Sequence, residues 1–275
     1  MRKIHVLFLL LSFTIVLKAQ NNYALKTAIN YYEDAESKSD DYKKSNCILN
    51  IYYPTDKKEF TTVIWIHGGS LTGGKLEIPE ELKNKGYAVV GIDYRLSPKV
   101  KAQMCIEDAA AAVAWVFKHI EEFGGDKKLI FISGHSAGAY LGLMVTLNKD
   151  YLNKYNVDAD KIAGLIAVSG QVVTHFTIRQ ERGIPNKQLI IDEYAPLYYV
   201  RENAPQIALI TGDADKELLG RYEENALFWR MMKLVGHQNT RIYKLDGFNH
   251  INMVKPAFTI LNNEISKISF DIKPF

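Results

Sequence analysis

After residue 45 the apolar positions come in short blocks separated by longer mixed stretches. Residues 47–53 (CILNIYY), 62–66 (TVIWI), 87–93 (YAVVGID), 129–133 (LIFIS), 162–169 (IAGLIAVS), 206–211 (QIALIT) and 240–245 read as strands. The strands that lie between helices lack polar alternation, the pattern of strands covered on both faces. Helical stretches separate them: a short polar one at 80–85, then 106–123, a segment from Gly138 to about Leu147, 223–235 and 253–268. The helix at 106–123 has an alanine-rich, strongly helix-forming centre. Glu107 and Asp108 fall in its expected first turn, where the dipole favours acids, and Gly124-Gly125 stops it. Strand–helix alternation of this kind predicts the α/β class, a mostly parallel sheet with helices on both faces. Residues 172–199, with Gly183, Pro185 and Pro196, read as irregular, and residues 20–45 as a polar lead-in with a short helix. No repeat, low-complexity tract or linker interrupts the chain, so residues 20–275 read as one domain.

The N-terminus adds a separate element. Arg2 and Lys3 precede an almost wholly apolar run, 6–17, and Ala19 offers a small residue before Gln20. Residues 1–19 therefore read as a secretory signal peptide, with an uncleaved anchor as the rival reading. The run is shorter than the roughly 20 residues a membrane span needs. The expected destination is the periplasm, the cell surface or the medium. The formal charge of +3 comes from 34 Lys+Arg against 31 Asp+Glu. Losing Arg2, Lys3 and Lys18 brings the basic count level with the acidic one, which removes the case for nucleic acid or an anionic membrane as partner. With 47% hydrophobic and 24% charged residues over 275 positions, the chain can bury a core without staples. Cys47 and Cys105 read as buried small hydrophobes, although an oxidising compartment also permits a disulfide between them. Nothing in these patterns speaks to oligomeric state.

Candidate chemistry sits at the ends of the expected strands. Gly134-His135-Ser136-Ala137-Gly138 is a G-x-S-x-G pentapeptide between a strand and a helix, the context in which such a motif holds a serine on a sharp turn. A serine hydroxyl needs a base, and the base needs a carboxylate to fix its tautomer. Among seven histidines, only His250 combines the required order with a place just past a strand end. The acid expected from loop length is Asp215, with Asp213 as the alternative that would instead shape the loop. His67-Gly68-Gly69-Ser70 follows another strand, and the N–H groups of Gly69, Ser70 and Ala137 are the expected oxyanion donors. No His/Cys/Asp grouping has metal-ligand spacing, and no cofactor is called for. The stretch GSLTGGK (69–75) imitates a phosphate-binding loop. Leu76, however, stands where the magnesium-holding Ser/Thr belongs, and Pro79 interrupts the following helix.

These residues resemble the α/β-hydrolase superfamily. More narrowly, the chain is similar to the bacterial esterase/lipase families near hormone-sensitive lipase and bacterial feruloyl esterases. The features that carry the resemblance are WIHGG (65–69), IDYRLSP (92–98), EDAAAAVAWV (107–116), GHSAG (134–138) and GFNH (247–250), in family order. It implies an α/β-hydrolase fold and carboxylic-ester hydrolysis, with Ser136 as nucleophile, His250 as base, Asp215 as acid and Gly69, Ser70 and Ala137 as oxyanion donors. Residues 172–199 fall where such hydrolases insert a cap, whose His175, Phe176, Arg179 and Tyr194 would then line a pocket. Two departures stand out: Ser70 replaces the third glycine of the usual HGGG, with Leu71 following where an aromatic is common, and the Asp213/Asp215 doublet leaves the acid open between the two. The implied substrate is a short-chain or carbohydrate-linked acyl ester. Alternative functions are hydrolysis of another acyl bond, such as an amide, or a catalytically idle binding protein on the same fold.

Overall fold

The computed structural model describes residues 22–34 and 40–273. The expected signal segment, residues 1–19, lies outside them. Eight strands form one sheet in the order β1-β2-β4-β3-β5-β6-β7-β8. They are β1 (Tyr23–Asn30), β2 (Ile48–Pro54), β3 (Phe60–Ile66), β4 (Ala88–Ile92), β5 (Gly125–His135), β6 (Gly164–Val168), β7 (Gln206–Gly212) and β8 (Thr240–Leu245). β1 pairs antiparallel with β2, and β2 with β4; every other pairing is parallel. The helices are α1 (Asp41–Asn46), α2 (Gln103–His119), α3 (Ala137–Leu147), α4 (Asp150–Asn153), α5 (Phe176–Glu181), α6 (Arg221–Leu234) and α7 (Val254–Ile272).

The apolar strands split their side chains between two cores because successive residues point to opposite faces. Ile64, Ile66, Ile130, Ile132, Leu165 and Leu209 pack with α2, α3 and the Phe228 and Met232 of α6. Val63, Trp65, Phe131, Ile166, Val168 and Ile210 pack with Phe258, Leu261, Ile265 and Ile268 of α7. This is the expected layered α/β architecture. Parallel pairing in close register, Ile66 opposite Gly134 and Gly134 opposite Ala167, brings the carboxyl ends of the central strands to one rim.

Three expectations need correction. The polar lead-in holds more than a short helix: β1 adds to the sheet edge, its Tyr23 ring stacking on Tyr52 of β2 at 4.5 Å. The helix expected at 106–123 begins at Gln103, so Glu107 and Asp108 are past its first turn. Asp108 is fully buried and accepts two hydrogen bonds from the Arg95 guanidinium, at 2.8 and 2.7 Å, plus one from Tyr32 Oη. Its acidity serves a buried ion pair rather than the helix dipole. Residues 172–199 are not wholly irregular, since they hold α5 and a 3₁₀ turn at Pro196–Tyr199. Cys47 and Cys105 are both buried as free thiols, and burial pushes each up to about 12.

Candidate active site

The rim of the sheet gathers the loops after β3, β5, β6, β7 and β8. After β5 the chain turns at Ser136, whose φ of 55° and ψ of −116° lie outside the regions ordinary side chains favour. Such a conformation needs close packing around it. Gly138 supplies part of this: a Cβ there would fall inside contact distance of the Ile66 carbonyl at the end of β3. Ser136 N–H donates to the Val168 carbonyl of β6 at 2.8 Å, which fixes the turn from the other side. Ala137 opens α3, so its N–H has no partner within the helix.

After β8, Asn249 organises the turn by accepting from the N–H groups of Ile251 and Asn252 at 3.0 Å each. This delivers His250 to Ser136: Ser136 Oγ–H donates to His250 Nε2 at 3.0 Å. His135, inside the pentapeptide, donates from Nε2 to the His250 carbonyl at 3.0 Å, and the two rings lie 4.6 Å apart. Burial, and then the neighbouring His250 charge, lower His135 to about 4. It is therefore neutral and holds the backbone of the His250 loop.

The carboxylate beside His250 is not Asp215 but Glu217, whose Oε1 lies 2.7 Å from Nδ1. The loop after β7 explains the difference. Asp213 N–H donates to the Phe248 carbonyl, and the Asp213 carboxylate accepts from the N–H groups of Gly247 and Asp215. Asp213 thus ties the two loops together, and these N–H donors hold its pKa below the usual range. The N–H groups of Lys216 and Glu217 both return to the Asp213 carbonyl. That helical turn leaves Asp215 exposed and brings Glu217 inward. The Glu217 side chain is fully buried. Its burial opposes ionisation, but the hydrogen bonds from His250, Leu218 N–H and Ser169 Oγ outweigh it and hold the carboxyl down to about 2.

Ser169, just past β6, carries no motif and was not foreseen. Its φ is 52°, and its Oγ lies 2.9 Å from both Glu217 Oε2 and His250 Nδ1. A carboxylate only accepts, so Nδ1 must carry the imidazole proton and Nε2 is left to accept from Ser136. Ser169 can then donate to Glu217 while sharing the Nδ1 proton. Arg221 fastens Ser169 in turn, donating to its carbonyl and, at 3.3 Å, to its hydroxyl. Arg221 is itself buried and paired with Glu224 at 2.7 Å.

The last of these loops follows β3. Gly69 is exposed and Ser70 half-buried, and both have positive φ. The loop is anchored from below: His67 Nε2 meets Asp93 Oδ1 at 3.0 Å, and the His67 ring stacks on Tyr94 at 4.3 Å. Of the residues implied for a pocket, His175 and Arg179 are buried, and Phe176 and Tyr194 are half-buried. Arg179 is buried and spends its guanidinium on the carbonyls of Thr174, Asn186 and Gln188. His175 is buried between Tyr140 and Phe176, and Tyr194 Oη donates to Gln103. Arg179 thus ties residues 174–188 together, while His175 and Tyr194 fasten this stretch to α3 and α2. Among the described residues no group of three or more His, Cys, Asp or Glu is placed to hold a metal ion, and no helix is long and apolar enough to cross a membrane.

A model of the BD-FAE family matches residues 49–219. Esterase LipC of Mycobacterium tuberculosis is 22% identical over 209 residues, covering 68% of this chain and 50% of that protein. The probable isoprenylcysteine alpha-carbonyl methylesterase ICMEL1 of rice (Oryza sativa subsp. japonica) is 25% identical over 242 residues, covering 74% and 54%. The chain thus spans about half the length of these curated relatives. Among solved structures, a truncated carbohydrate esterase from gut microbiota superposes with a TM-score of 0.71 at 16% identity, covering 92% of this chain and 98% of that one. The butyrate-bound esterase Est2 of Thermogutta terrifontis gives 0.66 at 20% identity, covering 81% and 90%. At these identities the likeness establishes the α/β-hydrolase fold.

Proposed function

The chain belongs to the BD-FAE family, and from that premise we propose that it is a serine carboxylic-ester hydrolase working through Ser136, His250 and Glu217. The observation that carries the reading is the continuous line Ser136 Oγ–His250 Nε2 at 3.0 Å and His250 Nδ1–Glu217 Oε1 at 2.7 Å. Ser136 attacks the ester carbonyl as His250 takes its proton. Glu217, ionised down to about pH 2, holds the Nδ1–H tautomer and stabilises the imidazolium that forms. The N–H groups of Gly69, Ser70 and Ala137 receive the developing oxyanion. His250 then protonates the leaving alcohol, and water activated by the same residue releases the acid from the acyl-enzyme.

The substrate class proposed is a small ester, short-chain or carbohydrate-linked. Its support is the carbohydrate esterase among the structural neighbours and the esterases among the relatives. Export rests on residues 1–19; its test is whether the protein appears in the periplasmic or secreted fraction, shortened at its N-terminus.

Hydrolysis of p-nitrophenyl acetate, butyrate and octanoate by wild-type and Ser136→Ala protein tests the central reading. Serine-dependent turnover supports it, and the chain-length profile sizes the acyl site. Equal rates for the two proteins, with no labelling of Ser136 by a fluorophosphonate, would overturn it.

A further inference from the structure

The loop after β3 holds three successive residues in the left-handed region: Gly69 at φ 118°, Ser70 at 61° and Leu71 at 62°. Glycine adopts this region freely, but Ser70 and Leu71 carry a Cβ and do not. Inside the loop, the N–H groups of Thr72 and Gly73 both turn back to the Gly69 carbonyl. The carbonyls of the two strained residues are held from outside. Thr177 Oγ1–H donates to the Ser70 carbonyl at 2.6 Å, and Ser97 N–H donates to the Leu71 carbonyl at 2.9 Å.

The two outside donors are themselves joined. Ser97 Oγ–H donates to Glu181 Oε1 at 2.6 Å, and the same carboxylate accepts from Ala102 N–H at 3.0 Å. Glu181 and Thr177 sit on the same short helix, α5. The hydrogen bonds therefore close a ring from Ser70 through Thr177, α5, Glu181 and Ser97 back to Leu71. Thr177 is buried, and its N–H donates to His175 Nδ1 at 3.2 Å, which fixes its backbone at the start of α5.

We infer that Thr177 is a positioning residue for the oxyanion loop. Its hydroxyl fixes the peptide plane that follows Ser70, and Ser70 cannot relax out of the left-handed region without turning that plane and shifting its own N–H. The brace answers a need that arises because a serine stands where the resemblance expects a glycine. The inference rests on the hydrolase reading, in which the Gly69 and Ser70 N–H groups meet the oxyanion.

The test compares Thr177→Val, Thr177→Ala and Thr177→Ser with wild type, on whichever p-nitrophenyl ester wild type hydrolyses. Oxyanion donors act on the transition state, and losing one outright costs about 10²–10³ in turnover. Displacing them should cost less: kcat falls about tenfold to a hundredfold in Thr177→Val and Thr177→Ala, with KM within about twofold. The inhibition constant of butylboronic acid, whose tetrahedral adduct places an oxygen among the same donors, should rise by a similar factor. Thr177→Ser keeps the hydroxyl and restores kcat and boronate affinity to near wild type. A packing role gives the opposite order, because valine keeps the shape of threonine and serine does not. Thr177→Val or Thr177→Ala at wild-type kcat, or Thr177→Ser as impaired as Thr177→Val, overturns the inference while serine-dependent turnover by wild type leaves the hydrolase reading standing. Wild type no faster than Ser136→Ala, with no boronate binding, removes both.

Discussion

Glu217 presents Oε1 to Nδ1 of His250 at 2.7 Å, across 33 residues of chain, from a side chain with no exposed surface. The nearby Asp215 is exposed. Replacing Glu217 with Gln keeps the shape but puts the proton on Nδ1 at risk, and if these residues form the proposed triad, disabling its acid costs about 10⁴ in turnover. Glu217→Gln is expected to lose about 10³–10⁴ in kcat, Asp215→Asn less than twofold, each measured on a p-nitrophenyl ester. Asp215→Asn as damaging as Glu217→Gln would refute the assignment.

Ser169 contributes a single hydroxyl to this pair. A hydrogen bond to a charged group is worth about 1.5–3 kcal/mol, so Ser169→Ala should lower kcat about tenfold to a hundredfold. Because Ser169 touches His250 and Glu217 rather than the expected place of the ester, KM should stay within about twofold. A large rise in KM with unchanged kcat would mean that Ser169 meets substrate instead.

Gly138 tests the backbone that holds Ser136, the proposed nucleophile. A side chain there meets the Ile66 carbonyl, which is main chain of a central strand and cannot swing aside. Gly138→Ala is expected to destabilise the fold by about 1–3 kcal/mol, the range of overpacking, read as a lower urea midpoint. A midpoint equal to wild type would show that the turn has more room than the structure gives it.

His135 sets a pH dependence of stability. Its pKa falls from about 6.5 in an unfolded chain to about 4 in the fold. Between those values the unfolded chain binds the proton and the folded one does not, so stability falls as pH drops from about 6.5 to 4. Glu217 works in the next window down: its folded pKa of about 2 lies below the ordinary carboxyl value, so its contribution is lost as pH falls from about 4.5 to 2. His135→Gln should flatten the melting temperature between pH 6.5 and 4 by one proton's share, buried His175 and His237 keeping the rest. An unchanged slope would place the proton elsewhere.

The sheet, and the positions of Ser136 and His250 on its rim, could be read from residues alone because each depends on local pattern: an apolar run, a glycine turn, a strand end. Glu217 could not. Counting along the loop favours the nearer aspartates, whereas the turn made by the Lys216 and Glu217 N–H groups on the Asp213 carbonyl carries the fourth residue inward. The signal was present in an Asp followed four residues later by a Glu and two leucines, but it gains meaning only once Asp213 is tied to Gly247. Ser169 had no signal at all, being one serine after one strand. β1 was hidden for a related reason. It lies on the sheet edge with most residues exposed or half-buried, and pairing with β2 rather than its own alternation makes it a strand.

The ring of hydrogen bonds through Ser70, Thr177, Glu181 and Ser97 also bears on engineering. Exchanging residues 172–199, the proposed insertion, between relatives is a natural way to build chimaeras with new substrate ranges, on the assumption that the stretch is a module separable from the chemistry. Here the donor of that insertion would have to supply a hydroxyl at position 177 and a carboxylate at position 181, matched to a host loop with Ser97. A graft that ignores them would change selectivity and turnover together, and recombination borders are better drawn to carry residues 69–71 and 97–102 with the insertion.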